Sequence, residues 1–296
     1  CLGRQISEKR GSCATEWQSR LHHRPMSIRP PTHAGTWYPR EKALVLSNIG
    51  RYLQAAEHRT AAVARRPLAL IVPHAGYTYS GPTAGYAYGT LCTYGYDKVV
   101  ILGVLHAARR DDPPVMCSSY RHWSTPVGTV PVVPTTFPPL EAKRDADEHS
   151  IEMQIPFLQA VLDKSIPIVP LYVSRMFTEE DEDAVRALLG EKTLLVVSSD
   201  FCHWGVNYNF RAFSRDEVES QDMMAMGAIM SGSVELFADY LATSRNTICG
   251  RLPIQLAMAV LHGGAWEMLH YAQSGQPGDH SSVSYVAAAY TKSEGK

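Results

Sequence analysis

Four short stretches of the chain are apolar at almost every position rather than at every second one. They are Leu68-Ala69-Leu70-Ile71-Val72, the run 98–104, the run 166–173 and Thr193-Leu194-Leu195-Val196-Val197. A strand with one face in water alternates apolar and polar residues, whereas a continuous β-branched run of this length suits a strand covered on both faces. Helical stretches lie between these runs, at about 81–92, about 147–163 and 178–189. An amphipathic helix is predicted over 41–57 from Leu44, Leu46, Ile49, Leu53 and Ala56. Beyond residue 214 the pattern is mostly helical to about 262, and two late strands are predicted over 266–273 and 283–290. Buried strands alternating with helices predict an α/β fold: a layered α/β/α sandwich around a central, mostly parallel or mixed sheet.

No repeat or shift in composition divides the chain, so 28–296 is expected to form a single domain. Residues 1–27 differ. Arg4, Lys9, Arg10, Arg20 and Arg24 outnumber Glu8 and Glu16, and no apolar periodicity runs through them. They are expected to be a disordered or non-native extension ahead of a start near Met26, with a transit peptide as the alternative.

With 296 residues, 45% of them hydrophobic, the chain can bury a large core without a metal staple. A metal here would therefore serve chemistry rather than folding. The net charge of -1 and the lack of a basic stripe argue against nucleic acid as a partner. No apolar run approaches the roughly 18 residues of a membrane span. The six cysteines are scattered, with no C-x-x-C pair, which suits a reducing, cytoplasmic setting.

The candidate chemistry sits where strands end. The first run leads through Pro73 to His74, the second through Leu105 to His106, and the fourth through Ser198 and Ser199 to Asp200, Cys202 and His203. In open α/β sheets, sites lie outside the carboxyl ends of the strands, so parallel neighbours would bring these imidazoles to one rim. Imidazole is the commonest neutral metal ligand, and two His with one anionic ligand leave positions open on a metal. The anionic candidates are Asp200, Glu148, Glu152 and the thiol of Cys249. Cys249 precedes an apolar helical stretch, 252–261, and a helix start lowers a thiol pKa. The acidic segment 145–152 reads as opening a helix, which would place His149 and Glu152 on one face. Pro156 is expected to kink or limit that helix. A Walker phosphate loop and a G-x-S-x-G elbow are both absent. A Cys202–His203 dyad is disfavoured because adjacent residues at a strand end point apart.

Several longer motifs then carry a resemblance. His33-Ala34-Gly35-Thr36-Trp37-Tyr38-Pro39, Pro73-His74-Ala75-Gly76-Tyr77-Thr78-Tyr79-Ser80-Gly81, Asp147-Glu148-His149-Ser150-Ile151-Glu152-Met153-Gln154, Ser198-Ser199-Asp200-Phe201-Cys202-His203-Trp204-Gly205, Asn246-Thr247-Ile248-Cys249-Gly250-Arg251 and Ser281-Ser282-Val283-Ser284-Tyr285 resemble the Memo family over roughly 32–290. The resemblance implies a fold like that of the class III extradiol dioxygenases. It implies a metal cluster of His74, His106 and Cys249, with copper or iron as cofactor and redox chemistry. His203 then matches the acid/base His, with Asp200 beside it, and His149, Glu152, Tyr79 and Trp37 are pocket or supporting residues. In animals the family is associated with ErbB-receptor signalling and cell motility. The chain departs from the family pattern at Leu105 and Ala107 around His106, and at Leu252. Two functions compete. One is a metal-dependent redox enzyme in which O2 takes an open position. The other is a non-enzymatic adaptor that binds a phosphotyrosine peptide or receptor segment. Trp37, Tyr77, Tyr79 and Trp204 are candidate anchors for that segment, about half of them expected to be core instead.

Overall fold

The computed structural model describes residues 26–60, 65–91, 93–162, 165–275 and 279–292. Of the extension expected over 1–27, residues 1–25 lie outside the described residues, while Met26 and Ser27 fall in the first strand. In chain order the elements are β1 (Met26–Arg29), α1 (Lys42–Thr60), β2 (Ala69–Val72), α2 (Tyr77–Gly89), β3 (Lys98–Val104), β4 (Val115–Cys117), β5 (Tyr120–Ser124), β6 (Thr129–Pro131), α3 (Ala142–Asp147), α4 (Ile155–Val161), β7 (Ile168–Val173), α5 (Glu179–Leu188), β8 (Thr193–Ser198), β9 (His203–Gly205), α6 (Val218–Met230), α7 (Val234–Ser244), α8 (Arg251–Val260), β10 (Gly264–Gln273) and β11 (Ser281–Lys292).

The main sheet runs β10-β11-β2-β8-β3-β7-β4, with β9 paired to β11 off that path. Its centre is parallel: β8 pairs with β2 on one side and β3 on the other, and β3 pairs with β7. Antiparallel strands close both sides. The continuous apolar runs are explained by the two cores. Leu70, Val72, Val99, Ile101, Leu194 and Val196 face a core shared with α1 and α2, while Ala69, Ile71, Val100, Leu102, Leu195 and Val197 face one shared with α5–α8. Successive residues point to opposite faces, and both faces are buried, so every position must be apolar. Each fully buried Val, Leu or Ile contributes roughly 1.5–3 kcal/mol. The architecture is the expected layered α/β arrangement with a mixed sheet. A second sheet, β1-β5-β6, lies outside it.

The segment 145–152 corrects the sequence expectation. Asp145 and Asp147 lie in α3, and the backbone turns extended at Glu148 (φ −85, ψ 131). A single 3-10 turn, Glu152–Gln154, leads into α4, so His149 and Glu152 share no helix face. Pro156 falls in the first turn of α4 instead of kinking a longer helix. Its missing N–H costs nothing there, because a first-turn N–H has no partner within the helix.

Candidate metal centre

Three of the central parallel strands end alike. His74 lies two residues past β2, His106 two past β3 and Asp200 two past β8. Because β8 is flanked by β2 and β3, all three arrive at one rim. Cys249 reaches the same rim from the turn before α8. That turn packs against the end of β8 so closely that a Cβ on Gly250 would fall 2.3 Å from Ser199 Cβ and 2.9 Å from the Ser198 carbonyl oxygen. Gly103 does the same for β3, where a Cβ would meet Ile151 at 2.4 Å and Ser150 Oγ at 2.8 Å. Only residues without a side chain permit these approaches.

The ligating atoms of His74, His106 and Cys249 all lie within 4.8 Å of one another. His74 Nε2 is 3.3 Å from Cys249 Sγ. Bonds of ~2.0–2.3 Å to a single ion require donors separated by roughly 3–4 Å; the His74–Cys249 distance lies in that range, so these three residues are a group that could hold a metal. Hydrogen-bond bookkeeping fixes which ring nitrogen faces the cluster. Ser198 Oγ donates its one hydrogen to the Ser150 carbonyl at 2.6 Å and accepts from Gln154 Nε2 at 2.8 Å. Its contact with His74 Nδ1 at 2.8 Å is therefore donated by the imidazole. His106 Nδ1 likewise donates to Glu148, at 3.0 and 3.2 Å. Each ring is thus left with an Nε2 lone pair, the arrangement that orients a metal-binding His.

Electrostatics separates the two rings. Burial, with His106 and His203 nearby, holds the His74 pKa down to about 3. Burial acts in the same direction on His106, but the hydrogen bond and charge of Glu148 outweigh it and raise that pKa. Burial would raise Glu148, yet His106 and His149 hold it at about 2. Cys249 reverses the sequence expectation. Burial, and then the Asp200 carboxylate, push the thiol well above its ordinary value. Desolvation of the thiolate outweighs the helix start, so the proton must leave when a metal binds.

Asp200 acts as a clamp. Its Oδ1 accepts from the backbone N–H of His74 at 2.8 Å and of Ala75 at 3.3 Å, while its own N–H points to Cys249 Sγ at 3.2 Å. Burial raises its pKa. His203, in β9, does not join the cluster of three, but its charge acts on both Asp200 and His74. Its Nδ1 donates to the carbonyls of Phe201 and Thr247 at 2.9 and 3.2 Å, and Nε2 lies outside those hydrogen bonds. Cys202 is buried, and its thiol is pushed up to about 12 by burial and by Asp222, which leaves it little nucleophilic character.

His149 stacks on His106, with ring centroids 4.5 Å apart, and Trp37 packs on His149 at 4.2 Å. His106, Glu148 and His149 also bring ligand atoms within 4.8 Å of one another. There Glu148 is already engaged by His106 Nδ1, whereas in the cluster with Cys249 neither imidazole is held by a carboxylate through its Nε2, which makes that cluster the better candidate. Glu152 faces away into a buried network, accepting from Arg29 Nη1 at 2.5 Å and Tyr38 at 2.8 Å and contacting His33 Nδ1 at 2.9 Å. Tyr79 is 64% exposed and Trp37 36%, while Tyr77 and Trp204 are core. Leu105 is buried, and Leu252 packs against the core on the α5–α8 side. Sequence reasoning missed Ser198, Gln154 and His33 as supporting residues, although all three lie in or beside the quoted motifs.

A family profile described as Memo-like protein matches residues 29–289. A Caenorhabditis elegans protein named memo-1 homolog is 33% identical over 291 residues, covering 88% of this chain and 81% of its own. Proteins named MEMO1 from Xenopus tropicalis and Homo sapiens are each 30% identical, covering 88% and 89% of this chain and 96% and 97% of theirs. Among the described residues, no helix is long and apolar enough to cross a membrane. A match that runs through both sheets and every residue of the His/His/Cys cluster leaves one conclusion: the chain belongs to the Memo family.

Proposed function

We propose that this protein holds one redox-capable metal ion, copper or iron, between His74, His106 and Cys249, and that the site serves a metal-dependent redox reaction in cell-motility signalling. The observation that carries this reading is the convergence of two Nε2 lone pairs and one sulfur, each imidazole held by an acceptor on its far nitrogen. A bound metal would supply electron transfer or Lewis acidity. The chain's own residues do the rest. Asp200 holds the His74 loop in register and His203 Nε2 moves a proton, while His106 keeps the cluster open to solvent. With two His and a thiolate as ligands, softer metals such as copper are favoured over hard, oxygen-bound ones.

The test is metal content of protein purified without oxygen or chelators, in the wild type and in His74→Ala, His106→Ala and Cys249→Ser. Each substitution is expected to lower it sharply, and equal content in all four would end the proposal. The adaptor reading keeps one supporting observation, the exposed aromatic pair Trp37 and Tyr79. Oxygen uptake with a catechol panel distinguishes turnover from peptide capture.

A further inference from the structure

A cavity of about 650 Å³ beside α7 and α8 is lined by Arg175, Arg245 and Arg251, and by Met176, Leu241 and Leu252. No Asp or Glu lines it. Among the described residues, the guanidinium groups of Arg245 and Arg251 have no ion pair or hydrogen bond, and both residues are exposed.

Both arginines sit where local structure favours something else. Arg245 ends α7 in the left-handed region, at φ +56 and ψ 21, a position suited to Gly or Asn. Arg251 opens α8, whose first turn has no acidic residue and whose start has no side-chain cap. A cation there opposes the positive end of the helix. Backbone preference explains neither residue, yet both reach the same acid-free cavity.

We propose that this cavity binds a small organic anion, a carboxylate or phosphate head group on a short apolar body. Arg245 and Arg251 take the head group, since guanidinium forks match both oxyanions. The start of α8 adds attraction for negative charge. Met176, Leu241 and Leu252 cover the apolar body. The site needs no metal, although it borders the 246–251 turn that carries Cys249.

The test is calorimetric titration of the full chain with hexanoate and with hexyl phosphate, using hexanol and inorganic phosphate as controls. Wild type, Arg245→Gly and Arg251→Gln are compared. At least one hexyl anion is expected to bind saturably and more weakly as salt rises. Binding is expected to fall at least tenfold, roughly, in each variant, with hexanol and inorganic phosphate weaker than the hexyl anion. The preference between the two anions identifies the head group. Arg245→Gly puts the favoured residue at the left-handed position, so its thermal unfolding should match or exceed wild type, which separates lost binding from lost folding. No saturable binding by either anion, equal binding by the variants, or inorganic phosphate binding as tightly as the hexyl anions would each overturn the proposal.

Discussion

Ser198 has one hydrogen, and the Ser150 carbonyl takes it, which forces His74 to donate from Nδ1 and leaves Nε2 facing Cys249. Ser198→Ala removes the acceptor, while the second hydrogen bond of Gln154, to the Pro73 carbonyl, survives. The fold should persist, and affinity for the proposed metal should drop about 10–100-fold as the imidazole loses its fixed tautomer. A chelator competition series checks this, and unchanged affinity would count against the orienting role. The identity of His74, His106 and Cys249 could be read from the quoted motifs. Which nitrogen each ring presents could not, because it is set by Ser198 and Glu148, 124 and 42 positions away from the rings they hold.

The turn that carries Cys249 is held against β8 by the absence of a side chain at Gly250. Gly250→Ala should lower stability by about 1–3 kcal/mol, as overpacking does. It should lower metal content with it, because the displaced turn carries the sulfur. A shifted urea midpoint at unchanged slope would show the stability part. The elements differ in how far sequence specified them. The central strands could be read from sequence because both their faces are buried and every position carries the signal. Strands β4, β6 and β9 are three residues long, and β5 buries only two of its five, so no local period marks them. They exist because of partners far away in sequence, such as β1 alongside β5. The helix expected over 147–163 starts late, with helical turns only from Glu152 to Val161, for a related reason. Glu148 is drawn out of helical geometry to hold His106, and local propensity cannot register that demand.

At the scale of the molecule, Arg29 ties the small sheet to the site region. Fully buried, it pairs with Glu152 at 2.5 Å and Asp145 at 3.4 Å and stacks over Trp123. Burial would raise the Glu152 pKa, but His33 and Arg29 hold it at about 2. A carboxylate whose folded pKa is depressed adds stability above its unfolded value of ~4.3, and that stability is lost as pH falls towards 2. Acid unfolding should therefore steepen between about pH 4 and pH 2. Glu152→Gln should flatten that limb and cost roughly 3–5 kcal/mol at neutral pH, since Arg29 would lose its closest countercharge. Denaturant midpoints taken across that range measure both effects. A limb unchanged by the substitution would remove Glu152 as its source.

The row of rings from Trp37 through His149 to His106 also makes the protein its own optical gauge. An indole at the surface rests on an imidazole that rests on a proposed ligand, so filling the cluster with a paramagnetic ion should quench tryptophan emission. Trp37→Phe should abolish most of that quench, giving a label-free readout of occupancy in intact protein.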